Sequence, residues 1–278
     1  MRIIADSSCD LQTLDWEDFH TVPLCIYTDE RCFVDEPDLN ITDMLDYLAR
    51  FRGRSYTSCP SAEAWLNAFA GADEIFVMTV TSSLSGSYGS AMIAAKQYME
   101  ENPGTKVSVI DSLSTGGQEA LVLRRLAELA HTGMSFEEID QQIRDYLRHT
   151  RLFFAFFSVH NLSQNGRVSK TAAAALSMFN IAVTGTASET GTINVNGKAR
   201  GERSAIKNIY KAALEAGYAG GRAVITHVEN PALAESLKQM ILQDFPQAEV
   251  FIDPTRGLCR YYMERRGIVF GCETVKAI

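Results

Sequence analysis

The stretch EIFVMTVTSSLSGSYGSA, residues 74–91, decides the fold. EIFVMTV is an apolar run of strand length. From Ser87 the sequence takes on the alanine-rich spacing of a helix, GSYGSAMIAAKQYMEEN, which Pro103 and Gly104 stop. Between them lie Ser82, Ser83, Ser85, Ser87 and Tyr88, with Gly86 in their midst. A strand that hands over to a helix through small hydroxyl residues has the geometry of an anion site. The first turn of a helix leaves backbone N–H groups unpaired, and its dipole favours negative charge. One serine here is explained by helix capping. The recurrence of Asp and Ser at three strand ends, described below, is not.

The same grammar extends in both directions. MRIIADSS and KVSVIDS read as buried strands, and TVPLCIYTD as a further extended run. NITDMLDYLARF is helical, with Asn40 as N-cap. SAEAWLNAFAG is helical, with Pro60 placed as a first-turn proline. GGQEALVLRRLAELAHTG and SFEEIDQQIRDYLRHT are helices, the second opened by a Ser135–Glu138 capping box. Alternating strands and amphipathic helices predict a parallel sheet with helices on both faces. Three strand ends repeat one chemistry: ADSSCD, TVTSSLSG and VIDSLSTGG. Ligands of open α/β sheets bind beyond the carboxyl ends of the strands. Asp6, Ser82, Asp111 and Ser112 are therefore expected to converge on one site.

The pattern changes near residue 151. LFFAFFSVHNL is aromatic and extended, and NGRVSKTAAAALSM gives a turn and a short helix. FNIAVTGTASETGTINVNGKARG gives two strands around a glycine-bearing turn. A helix (RSAIKNIYKAALEAG), a strand (RAVITHV), a helix opened by Asn230 and Pro231, and a last strand pair, EVFIDPT and GIVFGCE, complete the chain. The expected fold is α/β in two domains: a three-layer α/β/α domain over 1–152 and a mixed-sheet α/β domain over 153–278.

Composition narrows the function. The chain has 278 residues and a formal charge of -8, from 26 basic and 34 acidic side chains. No dense basic run is present, which argues against nucleic acid. No apolar run spans a bilayer and the N-terminus lacks a signal-peptide core, so a cytoplasmic protein with at most transient membrane contact is expected. Cys9, Cys25, Cys32, Cys59, Cys259 and Cys272 show no metal spacing and read as free thiols, Cys59 as incidental. No metal and no cofactor are expected. The nucleotide signatures G-x-x-x-x-G-K-[ST] and G-x-G-x-x-G are missing, as is the G-x-S-x-G elbow. A nucleophilic serine also needs a base. Of the five histidines, only His160 and His227 fall near strand ends.

In this order, the motifs resemble the DegV family of bacterial fatty-acid-binding proteins. ADSSCDL (5–11), TSCPS (57–61), SSLSGSYGSA (82–91), VIDS (109–112), NGRVSK (165–170) and GKARGERSAI (197–206) carry the likeness through nearly the whole chain. The resemblance implies a long-chain fatty acid buried between two domains and presented to a separate fatty acid kinase, which makes the acyl phosphate. The protein itself would then be a carrier and not an enzyme. Carried over, the carboxylate site comprises Thr57, Ser58, Ser85, Gly86, Ser87 and Arg167. Cys259 falls where the family has a histidine, and YYMERR (261–266) replaces a small-residue loop. A buried carboxylate needs such donors to stay ionised. LFFAFFSV, ALSMFNIAV and the methionine-bearing helix at 91–99 are candidate tail linings. Phe153, Phe154, Phe156 and Phe157 occupy both strand faces, so only some can face a ligand. Lys198, Arg200 and Arg203 are either a solvated helix start or a partner-docking patch. Two rival readings stand beside the carrier: a phosphotransferase or hydrolase substrate subunit similar to that of dihydroxyacetone kinase, and a carrier of a different amphiphile.

Overall fold

The computed structural model describes residues 1–168 and 180–277. Strands β1 (Arg2–Asp6), β2 (Phe19–Val22), β6 (Glu74–Thr79) and β7 (Lys106–Asp111) form a parallel sheet in the order β2-β1-β6-β7. Its side chains alternate with period two. Ile4, Ile75 and Val77 pack under α2 (Ala62–Phe69) and α3 (Ser87–Glu101). Ile3, Phe76 and Met78 pack under α4 (Gly116–Ala130) and α5 (Phe136–Arg148). The expected three layers are present.

TVPLCIYTD is not one strand. Pro23 has no N–H to give a ladder, and the run divides around it. Its first two residues, Thr21 and Val22, end β2. Its second part, β3 (Cys25–Tyr27), joins β4 (Cys32–Val34) and β5 (Tyr56–Ser58) in a small antiparallel sheet of order β4-β3-β5. Helix α1 (Ile41–Arg50) packs on this sheet, its Asn40 cap accepting from Asp43 N at 3.1 Å. Ser61 caps α2, so Pro60 stands one position ahead of the cap and not in the first turn.

The second large sheet runs β10-β9-β8-β13-β11-β12. It comprises β8 (Thr150–Phe156), β9 (Ile181–Ala187), β10 (Ile193–Arg200), β11 (Ala223–His227), β12 (Val250–Pro254) and β13 (Ile268–Glu273). Only the β11–β12 pair is parallel. The last two strands do not pair with each other; they flank β11. One face is covered by α7 (Glu202–Glu215) and α8 (Pro231–Asp244). The other carries α6 (His160–Gln164) and α9 (Gly257–Met263). The helix expected within NGRVSKTAAAALSM lies, from 169 onward, outside the described residues.

The expected boundary between 152 and 153 falls inside β8, a strand of the second sheet. We propose the division ahead of Thr150. Helix α4 joins the halves: it packs on the parallel sheet and also crosses β11 and β13. The approach is backbone to backbone. A Cβ on Gly117 would lie 2.7 Å from the Val224 carbonyl oxygen. Among the described residues no helix is long and apolar enough to cross a membrane.

Candidate functional site

The loops leaving β6 and β7 and the apolar face of β8 enclose a cavity of about 310 Å³, within the roughly 300–1,000 Å³ typical of small-molecule sites. Its wall divides chemically. Leu152, Phe154, Phe156, Leu162, Met263 and Val269 give an apolar lining that belongs to one core cluster. Phe154 and Phe156 stack at 4.5 Å between centroids, while Phe153 and Ala155 point into the opposite core. The β8 stretch therefore supplies half of its aromatic side chains to the cavity. The methionines of α3 supply none: Met92 and Met99 are exposed. Of ALSMFNIAV, the described residues Asn180, Ile181, Ala182 and Val183 do not line it.

The polar part of the wall contains Thr57, Ser58, Cys59, Ser85, Gly86, Arg167, Cys259 and Tyr262. Six of the seven residues expected at a carboxylate therefore face the cavity. Strand β5 delivers Thr57 and Ser58, and the β6–α3 loop delivers Ser85 and Gly86. Gly86 occupies the N-cap of α3 and no side chain caps it, so the helix dipole meets the cavity there. Arg167 follows a turn at Gly166. It donates from Nε to Leu84 O (3.3 Å) and from Nη1 to Asn165 O (2.6 Å). It is the one formally charged lining residue among the described residues. A cation, several hydroxyls and an apolar bore fit an apolar chain with an anionic end.

Ser87 does not reach the cavity. It is fully buried and donates to Asp6 Oδ2 at 2.5 Å. Asp6 also accepts from Ser8 N, Ser8 Oγ (2.6 Å) and Val80 N (3.0 Å). Asp111 accepts from the N–H groups of Ser82 and Leu113, both at 3.1 Å. Ser112 bonds within its own turn, to Ser114. None of Asp6, Ser82, Asp111 or Ser112 lines the cavity. The three strand ends converge, but their acids brace the exit loops while neighbours such as Thr81, Ser114 and Thr115 face inward.

Cys259 is buried on α9, its thiol 3.3 Å from Ser8 O and 3.6 Å from Thr115 Oγ1. Burial, reinforced by the nearby Asp10 carboxyl, pushes this thiol well above its ordinary pKa, so it remains S–H. The N-terminus of α9 is clamped from the first half. Asp35 accepts from Gly257 N (2.7 Å) and Leu258 N (3.0 Å). Arg256 is buried against Asp35 and Thr21, with its backbone N–H on Asp10. His160 is exposed, and His227 accepts from Asn230 N through Nδ1; neither lines the cavity. Lys198, Arg200 and Arg203 are exposed and make no ion pair among the described residues.

Sequence reasoning missed Cys59, Thr81, Ser114, Thr115, Gly191 and Thr192 as lining residues. The Asp/Ser recurrence pointed to the right loops after β6 and β7 but to the wrong members of each, and the loop after β1 supplies no lining residue. Tyr262 had a signal, since bulky side chains stand there in place of the family's small loop.

Known proteins resemble this chain over nearly its whole length. Residues 1–269 match the model of the DegV family, described as an uncharacterised protein. A DegV domain-containing protein of Streptococcus pneumoniae is 41% identical over 276 residues, 98% of each chain. A DegV family protein from Eubacterium eligens, loaded with heptadecanoic acid, superposes with a TM-score of 0.96 at 48% identity, covering 99% of both chains. The Fatty Acid Kinase (Fak) B3 protein of Streptococcus pneumoniae, loaded with linoleic acid, superposes with a TM-score of 0.95 at 41% identity, over 98% of this chain and 99% of that one. The chain belongs to the DegV family.

Proposed function

We propose, from that membership, that the protein carries a long-chain fatty acid in the cavity between its two large sheets and presents it to a separate fatty acid kinase. The observation that carries this reading is the wall: an apolar bore ending in hydroxyls and one arginine, with no acidic lining residue among those described. The carboxylate lies among Thr57, Ser58, Ser85, the Gly86 helix end, Arg167 and Cys259. Hydroxyl and backbone donors hold an ionised carboxylate without burying many charges, and Arg167 adds a charge-assisted bond. The relatives loaded with heptadecanoic and linoleic acid support the ligand class. The protein acts as a carrier without catalysis of its own and needs no cofactor. Neither His160 nor His227 lines the cavity, so a hydrolase or polyol-transferring subunit finds no histidine base there among the described residues. The Lys198, Arg200 and Arg203 surface docks the kinase.

The test is mass spectrometry of lipid extracted from the denatured protein. One fatty acid per chain is the expected result. An empty extract, with no uptake of added fatty acid, overturns the reading and favours a different amphiphile. For the docking surface, Arg200→Glu with Arg203→Glu should abolish acyl-phosphate formation by a cognate kinase while leaving lipid binding intact. Unchanged coupling would remove that assignment.

A further inference from the structure

Helix α9 brings two adjacent tyrosines to the polar end of the cavity. Tyr261 Oη lies 2.7 Å from Ser55 Oγ and accepts from Asn165 Nδ2 at 2.9 Å. Asn161 Nδ2 donates back to the Tyr261 carbonyl at 2.7 Å. Tyr261 thus fixes α9 against the residue that precedes β5 on one side and against the turn leading to Arg167 on the other. Tyr262 uses that fixed position differently. It lines the cavity, its Oη is 2.7 Å from Thr57 Oγ1, and the Arg167 guanidinium carbon is 5.8 Å from the centre of its ring.

The hydrogens can be counted. Thr57 and Tyr262 each carry one hydroxyl hydrogen. Their mutual bond uses one of the two, whichever residue donates. The other hydrogen remains for a third acceptor. Both residues line the cavity beside the one lining cation among the described residues, a setting that suits an anionic acceptor in the cavity. Burial holds the Tyr262 phenol above its ordinary pKa, which keeps its hydrogen in place at neutral pH.

We infer that Tyr262 is a positioning residue for the ligand's carboxylate, and that the Thr57–Tyr262 hydroxyl pair works as one donor aimed at it beside Arg167. The inference rests on the proposed carrier function and extends it. It makes Tyr262 the residue through which this chain tells an ionised head group from a neutral one. Without the phenol hydroxyl, the Thr57 hydroxyl is free to rotate toward backbone acceptors, and the carboxylate loses an oriented bond.

The experiment compares wild type, Tyr262→Phe, Thr57→Val and the double variant, each binding oleic acid and oleyl alcohol. Tyr262→Phe should weaken oleic acid about tenfold and leave oleyl alcohol within about twofold, with Tm retained. Thr57→Val in the Tyr262→Phe background should add little, because both changes break one unit. In wild type and in each folded variant, 13C NMR of carboxyl-labelled oleic acid gives the pKa of the bound acid. Loss of the pair should raise it by about one unit, the same tenfold read as a proton equilibrium. Equal losses for acid and alcohol, or additive effects with an unmoved carboxyl pKa, would overturn the inference and leave Tyr262 as packing. If Tyr262→Phe does not fold, Thr57→Val alone decides by the same acid-to-alcohol ratio. A wild type that binds neither lipid instead overturns the carrier function itself.

Discussion

Ser87 donates its hydroxyl hydrogen to Asp6, 81 residues earlier, at 2.5 Å. The bond ties the start of α3 to the end of β1. It accounts for one serine of the hydroxyl loop without any ligand. Both groups are fully buried. Ser87→Ala should therefore cost stability, about 1.5–3 kcal/mol for a bond to a charged acceptor, and leave lipid stoichiometry at the wild-type value. Urea unfolding together with lipid analysis checks both halves. Lost lipid with unchanged stability would put Ser87 back in the site.

Thr57 and Ser85 should behave in the opposite way. Both line the cavity, and neither Thr57→Val nor Ser85→Ala changes volume much. The double variant removes two donors to a carboxylate, about 3 kcal/mol together, roughly a hundredfold in Kd. Tm without ligand should stay within a few degrees of wild type. Fatty-acid titration by fluorescence displacement measures the first and calorimetry the second. Wild-type affinity would move the head group away from β5 and the Ser-Gly loop.

The contrast between Ser87 and Ser85 marks how far the sequence could be read. Periodicity located each large strand, because a buried strand and an amphipathic helix differ in spacing. It could not say which of two serines, two residues apart, turns inward. That depends on the loop's path, which Asp6 sets from another strand. TVPLCIYTD failed for a similar reason. Pro23 divides it between sheets, and its second half finds its partners in Cys32–Val34 and Tyr56–Ser58. Pairings at such separation leave no local signal. Phe154 and Phe156 were legible as a pair on one strand face, but their common cavity needed α6 and α9 to close over them.

Glu119 makes a distinct pH prediction. Ser8 Oγ lies 2.6 Å from Asp6 Oδ1 and 2.7 Å from Glu119 Oε2, yet has one hydrogen. One acid must donate to Ser8. Asp6 has four donors, whereas Glu119 has Ser8 alone among the hydrogen bonds. Burial, with the charge of Asp6 beside it, pushes Glu119 well above its ordinary 4.5. Glu119 therefore holds the proton, donates to Ser8, and Ser8 donates to Asp6. A raised folded pKa means that the folded state binds the extra proton. Stability from this group is full below the ordinary value and declines as pH rises toward the raised one. The slope is about 1.4 kcal/mol per pH unit within that window. Glu119→Gln keeps a donor and removes the titration. The stability of the variant relative to wild type, from urea midpoints between pH 5 and 8, should increase with pH. A constant difference would mean that Glu119 is ionised in the folded state.

The last prediction concerns how the cavity is closed. The turn between β9 and β10 reaches from the second sheet onto the exit loops of β6 and β7. Ser83 Oγ donates to Thr190 O at 2.5 Å, and Gly191 lines the cavity with φ at +75°. A Cβ there would collide with Thr81 Oγ1 and stand 3.0 Å from Leu113 Cα. The second contact is to backbone and cannot swing aside. Gly191→Ala therefore combines left-handed strain of about 1–2 kcal/mol with a collision at the cavity wall. Both are relieved if the tip lifts from the loops. Fatty-acid dissociation should accelerate about tenfold or more in stopped flow, and amide exchange should rise at 188–192 and at 81–85. Ser83→Ala cuts the Thr190 tie without the collision and should show the same change in smaller measure. Dissociation at the wild-type rate in both variants would show that this wall does not control escape.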